Sequence, residues 1–251
     1  MNERFLINSN LPENKVTTIF ANIDDIALKN VFDKLLIKVV NTTQNAFLDT
    51  PVSQHADILL NHVGKSAFLV DANQKELCSF IENNGGKTII IDNIKSPYPN
   101  DCLLNFADIG DYIICNHSIL TKEIVDLLPK KQIIDVKQGY SKCSVCICKH
   151  NTIITDDISI YNAVSQYDDI KSLLVEKGSV HIDKYDYGFI GGCCGLVDKD
   201  ILFFNGDLST HSNFDKIKNF LYDNGINYID IKGKPLTDIG SIIPIMEKDG
   251  E

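Results

Sequence analysis

Eight cysteines in a chain of 251 residues are the first candidates for chemistry. Three share a local setting: Cys102 follows Asp101, Cys143 follows Lys142 and Cys193 follows Gly192, each beside a short strand-like stretch. A thiol beside a lysine ammonium favours the thiolate, so Cys143 is the expected nucleophile. The aligned positions before these thiols also hold carboxylates. Asp57, Asp101 and Asp238, with Lys142 and Gly192, fall in one phase of a recurring pattern. Carboxylates gathered in this way repel one another unless a cation offsets them, which makes a seat for a guanidinium or ammonium group. A thiol-based metal site is the alternative use. Cys143, Cys146 and Cys148 contain a C-x-x-C, but on an extended strand Cys143 faces away from the other two and no second C-x-x-C follows. The expected metal-ligand set is therefore none, with Cys102, Cys143 and Cys193 as the one way thiols could gather.

Composition narrows the classes. The chain is 44% apolar and 23% charged, with a formal charge of −10. That balance supplies a core and argues against nucleic acid or anionic lipid as the main partner. No run approaches the roughly 18 apolar residues of a membrane span. No basic flank and apolar stretch open the chain, so a cytoplasmic protein with free thiols is expected. There is no phosphate-binding glycine loop, and no cofactor is implied. A small cationic metabolite is the expected partner, with oligomeric state left open.

The elements that must position these groups come in repeats. Segments opening near residues 56, 100, 141, 191 and 237 share a short strand pattern, spaced by about 45 residues. Each opening is followed by a second strand, an amphipathic helix and a closing strand. In the first unit these are Ala67 to Val70, Gln74 to Asn84 and Thr88 to Ile91. The second has Tyr112 to Cys115, Thr121 to Leu128 and Ile133 to Val136; the third has Thr152 to Thr155, Tyr161 to Gln166 and Leu173 to Val175. The fourth has Ile201 to Phe204, Phe214 to Asp223 and Tyr228 to Ile231. The fifth stops after Ile242 to Met246, and residues 1–41 supply its missing parts with Val16 to Phe20, Asp24 to Lys34 and Leu35 to Val40. Completion of the last unit by the N-terminus is what a closed ring needs, since closure removes open sheet edges. The expectation is a single α/β domain over residues 1–251: a five-bladed α/β propeller of ββαβ units with pseudo-fivefold symmetry.

That plan resembles the pentein superfamily, the five-bladed α/β propellers of guanidine-modifying enzymes. The stretches Gln138-Gly139-Tyr140-Ser141-Lys142-Cys143-Ser144, Tyr187-Gly188-Phe189-Ile190-Gly191-Gly192 and Asp238-Ile239-Gly240-Ser241-Ile242-Ile243-Pro244 are similar to an uncharacterised bacterial branch of it. The resemblance implies that His55 in His55-Ala56-Asp57 is the general acid/base and that Asp57 helps hold substrate. It also implies a nucleophilic Cys opening the last blade, where this chain has Ile239-Gly240-Ser241 instead.

Together these readings predict a Cys-dependent, deiminase-like hydrolase acting on C–N bonds of amidines, with an axial site for a guanidino or ureido compound. Cys143 attacks and His55 moves protons. Asp57, Asp101, Lys142, Asp238, Asn105, Cys193 and His181 surround the ligand, the last in an acidic and aromatic connection (residues 176–189) expected to cover the site. A non-catalytic pentein that docks on a ribosome or protein, and a thiol-based metal-binding protein, are the alternatives.

Overall fold

A computed structural model describes residues 2–250. Its strands form five sheets. Unit one comprises β4 (Leu60–His62), β5 (Ala67–Asp71), α3 (Lys75–Asn83) and β6 (Lys87–Ile91). Unit two comprises β7 (Ala107–Asp108), β8 (Tyr112–Cys115), α4 (Lys122–Leu127) and β9 (Gln132–Asp135). Unit three follows with β10 (Val145–Lys149), β11 (Thr152–Thr155), α5 (Ile158–Val164) and β12 (Lys171–Leu174). Unit four has β13 (Cys194–Asp198), β14 (Ile201–Phe204), α6 (Phe214–Asp223) and β15 (Asn227–Ile229). In every unit the first two strands are antiparallel and the last two parallel, the helix making the crossover. The fifth sheet joins the two ends of the chain. Its order is β1 (Glu3–Phe5), β16 (Ile243–Lys248), β2 (Val16–Ala21), β3 (Lys38–Asn41), with α1 (Ile26–Leu35) crossing from β2 to β3.

The helices form because each presents an apolar pair four residues apart or a single anchor to its own sheet. The pairs are Leu28 and Phe32, Leu77 and Ile81, Ile160 and Val164, and Ile217 and Leu221; Ile124 anchors the short α4. Asp25, Thr121 and Asp157 cap α1, α4 and α5 through side-chain oxygens. α3 and α6 each end on a glycine of positive φ, Gly85 and Gly225. Glu247 on β16 is fully buried, and its carboxylate accepts from Arg4 and from the backbone N–H groups of Glu13 and Asn14. That is the polar clasp holding the N-terminal segment to the last strand.

One expectation fails at the unit openings. Residues 56–59 make a short helix, α2 (Ala56–Leu59), and the matching stretches of units two to four are turns preceding the first strand. Alternate-facing geometry therefore does not govern Asp57, Asp101, Lys142 and Gly192. Instead, the opening turns bond to one another in sequence. Asn105 Nδ2 donates to the Asp57 carbonyl and Lys142 N to the Asn105 carbonyl. Gly191 packs against the carbonyls of Lys142 and Cys143. Ser241 N donates to the Gly192 carbonyl, and Asp57 N to the Gly240 carbonyl. Among the described residues no helix is long and apolar enough to cross a membrane.

Candidate functional site

A cleft of about 290 Å³ opens where these turns meet. Cys143, His55 and Asp238 line it together with Ile58, Tyr140 and the segment Tyr185–Phe189. The three central side chains belong to units three, one and five, so their meeting is a product of the whole topology. Their settings are local. Cys143 sits in the turn before β10, with its sulfur accepting from Asn105 Nδ2 at 3.1 Å. His55 precedes α2 and is 3% exposed. Asp238 accepts from the backbone N–H groups of Phe189 and Gly240, both at 2.9 Å, and its Oδ1 lies 3.7 Å from His55 Nδ1.

Glycines make this crowding possible. A Cβ on Gly192 would lie 2.1 Å from Asp238 Oδ1, and one on Gly240 2.3 Å from His55 Cβ. Gly240 also holds φ +75, the region in which a side chain is strained. These positions are visible in the sequence only as glycines of the Phe189-Ile190-Gly191-Gly192 and Asp238-Ile239-Gly240-Ser241 stretches. What they make room for could be known only once the turns were brought together.

Behind the cleft lies a buried polar chain. Lys142 Nζ donates to Ser241 Oγ at 3.0 Å, and Ser241 Oγ lies 2.5 Å from Asp57 Oδ2 and 2.9 Å from the Gly191 carbonyl. The Ser241 hydroxyl thus accepts from the ammonium while donating onward. Ser241 was not among the expected site residues. Its signal was its place opening the last unit, where the resemblance calls for a thiol.

Several expectations are corrected by this geometry. Lys142 does not activate Cys143: its ammonium turns to Ser241, and the Cys143 thiol is pushed well above its ordinary value by burial and then by the Asp57 and Asp238 carboxylates. Asp101 does not join Asp57 and Asp238. It is held by the Tyr140 hydroxyl at 2.7 Å, and Asn105 takes the inner place in unit two, bonding to the N–H groups of Lys142 and Cys143. The reason is that this opening stretch is a turn rather than a strand, so the facing of its residues does not follow the aligned frame. Cys102 and Cys193 are not among the residues that line the cleft with Cys143; they donate to the carbonyls of Pro99 and Ile190. Among the described residues, no group of three or more His, Cys, Asp or Glu is arranged to hold a metal. The His181 imidazole lies outside the cleft lining and pairs with Asp183 in solvent. Its backbone matters instead, because it bonds to Leu236 and Asp238 and so ties the 176–189 connection to the last unit.

Comparison with known proteins places this architecture. The sequence matches, over residues 21–243, the family of unknown function DUF6873. The chain belongs to DUF6873. No protein of curated function matches its sequence. Solved structures similar to this DUF6873 chain include inosamine-phosphate amidinotransferase from Streptomyces griseus, at TM-score 0.63 and 10% identity, covering 98% of each chain. The DDAH from Pseudomonas aeruginosa, solved as a cysteine-to-serine variant with citrulline, gives TM-score 0.53 at 10% identity over 86% of this chain and 92% of its own. Agmatine deiminase from C. jejuni with substrate bound gives TM-score 0.55 at 10% identity over 100% of this chain and 98% of that one. All three share the pentein fold, so this chain has a pentein-like α/β fold.

Two buried groups in the DUF6873 chain make opposed demands on pH. His62 is 1% exposed, stacks on Phe68 at 4.5 Å, and burial holds it down to about 3, helped by the charge of Lys131. Below about 6.5 the unfolded chain takes up a proton that the native chain refuses, so the His62 contribution is lost as pH falls from 6.5 towards 3. Burial raises Asp156 to about 7, so its contribution is complete below 3.8 and lost as pH rises through 7. Over the shared window the two offset each other. In His62→Phe the Asp156 dependence is unmasked. Chemical denaturation at several pH values is expected to show this variant gaining on the wild type by up to about 1.4 kcal/mol per pH unit lowered between pH 6 and 4. A pH-independent difference would show that His62 is not held neutral.

Proposed function

We propose that this protein is a closed five-bladed pentein whose cleft binds a small guanidino- or ureido-type cation and attacks it with Cys143. The observation that carries the reading is that Cys143 and His55 line one cleft with Asp238. At rest the thiol is kept protonated by burial and by the nearby carboxylates. A bound guanidinium offsets those carboxylates and thereby favours the thiolate, so the substrate itself completes the nucleophile. The Cys143 proton passes to His55 as the sulfur bonds to the amidinium carbon. The C–N bond then breaks and the leaving amine takes the proton from His55. In the second half, water yields a proton to His55 as its oxygen bonds to the carbon, and the C–S bond then breaks with the departing sulfur taking that proton back from His55 to restore the Cys143 thiol. An acceptor amine in place of water gives amidino transfer by the same steps.

Asp238, across from His55, orients the ring and stabilises its protonated form. Asp238, in the cleft lining, supplies the negative charge that draws the cation in, while Asp57 lies behind it, bridged to Lys142 through Ser241. Asn105 fixes the sulfur. Against a purely docking role stands the cleft itself, which opens onto a thiol and an imidazole rather than being filled by apolar side chains.

The test is turnover. The full-length protein, incubated with a panel of guanidino compounds, is expected to release ammonia with a matching ureido product. Cys143→Ala should abolish release while leaving the circular dichroism spectrum unchanged. Release that survives in Cys143→Ala would overturn the assignment.

A further inference from the structure

One amide ties Cys143 to the buried polar chain behind the cleft. Asn105 Nδ2 donates to the Cys143 sulfur at 3.1 Å and to the Asp57 carbonyl at 2.9 Å, while its Oδ1 accepts from the backbone N–H groups of Lys142 and Cys143. The side chains of Lys142 and Asp57 meet through Ser241, whose Oγ lies 3.0 Å from the ammonium and 2.5 Å from Asp57 Oδ2. All three residues are buried. The hydroxyl proton goes to the charged oxygen, the shorter and charge-assisted bond, in preference to the Gly191 carbonyl at 2.9 Å. Among the charged groups that act on the Cys143 thiol, Asp57 comes ahead of Asp238.

Ser241 is held against its backbone preference. Its φ is +69, the left-handed region that glycine occupies freely and a side chain only at a cost. Its N–H donates to the Gly192 carbonyl at 2.8 Å and that of Asp57 to the Gly240 carbonyl at 3.1 Å, which fixes hydroxyl and carboxylate on adjoining turns. A hydroxyl kept at such a position, between a buried ammonium and a buried carboxylate, is the kind of strained placement that accompanies function. We propose that Ser241 is a positioning residue for Cys143: it passes the pull of the Lys142 ammonium to Asp57, loosens that carboxylate's hold on the thiol proton, and so sets how readily the sulfur ionises. Lys142 then influences Cys143 at two removes and not by contact. The proposal rests on the reading of Cys143 as nucleophile and adds what sets its ionisation. The other titratable groups facing the thiol are Asp238, His55 and Tyr140 of the cleft lining. Substituting Ser241 leaves these groups, and the charges of Lys142 and Asp57, in place.

The test is the pH profile of Cys143 alkylation by 2-chloroacetamidine in the full-length protein, read by peptide mass spectrometry. Ser241→Gly, which suits the backbone at φ +69, is the first variant and Ser241→Ala the second, each checked for folding by circular dichroism. Both are expected to move the profile up by about one pH unit or more, which slows labelling near pH 7 about tenfold while the rates converge at high pH. In an Asp57→Asn background the Ser241 substitution should add no shift, because no carboxylate remains to receive the pull. Superposable profiles in folded variants, or an equal slowing at every pH, would overturn the proposal while leaving Cys143 as the nucleophile. A further shift in the Asp57→Asn background would overturn the route through Asp57. Wild-type protein that is not labelled at Cys143 at any pH would overturn the nucleophile reading and this inference with it.

Discussion

Lys142→Met is expected to lower stability by about 3–5 kcal/mol, the range for removing one partner of a buried charged pair. For a domain of this size that is a fall in Tm on the order of 10 °C. Lys142 is 5% exposed and Asp57 is fully buried, with Ser241 Oγ bridging them. Removing the ammonium strands the Asp57 carboxylate, whose Oδ1 has no hydrogen-bond partner. The measurement that isolates this coupling is a double-mutant cycle. Lys142→Met with Asp57→Asn should lose less stability than the sum of the single variants, by 1 kcal/mol or more. Additive losses would mean that the two charges do not compensate each other across Ser241.

The second large effect is expected at Asp238, and on reactivity rather than stability. Asp238→Asn keeps an oxygen for one of the two backbone donors, Phe189 and Gly240, but removes the charge facing His55. Without that charge the imidazolium formed during proton transfer is no longer stabilised. Turnover of a guanidino substrate should fall by about 100-fold or more, within the range that acid–base groups contribute. Burial raises the Asp238 carboxyl and the His55 charge opposes that rise. A variant with unchanged rate would leave His55 without its orienting partner.

Much of the fold is legible in the sequence because repeats advertise themselves. The strands Tyr112–Cys115, Thr152–Thr155 and Ile201–Phe204 and the helix Phe214–Asp223 stand where the pattern predicts. The third helix runs over Ile158–Val164, earlier than its apolar spacing suggests, since the Asp157 cap fixes its start. The site is legible only in part. His55, Cys143 and Asp238 come together, and the 176–189 connection does flank the cleft. The environment of each was not readable. Sequence adjacency put Lys142 beside Cys143, but neighbouring residues in a turn point apart, and the ammonium found Ser241 instead. The frame that grouped Asp101 with Asp57 treated turn residues as strand residues, and so missed Asn105 as the inner residue of unit two. Cys146, Cys148 and Cys194 are buried thiols packed near one another, as their strand positions suggest.

The central claim is that Cys143 becomes nucleophilic only towards a bound cation. Its most direct test is competitive alkylation of the full-length protein near pH 7, read by peptide mass spectrometry, with neutral iodoacetamide against cationic 2-chloroacetamidine. The structure predicts that iodoacetamide leaves Cys143 almost untouched, because its thiol is buried and protonated. Chloroacetamidine is predicted to modify Cys143 ahead of the other seven cysteines, and Asp238→Asn to slow that reaction. Equal modification of Cys143 by both reagents, or labelling by chloroacetamidine at other cysteines in preference to Cys143, would contradict the account.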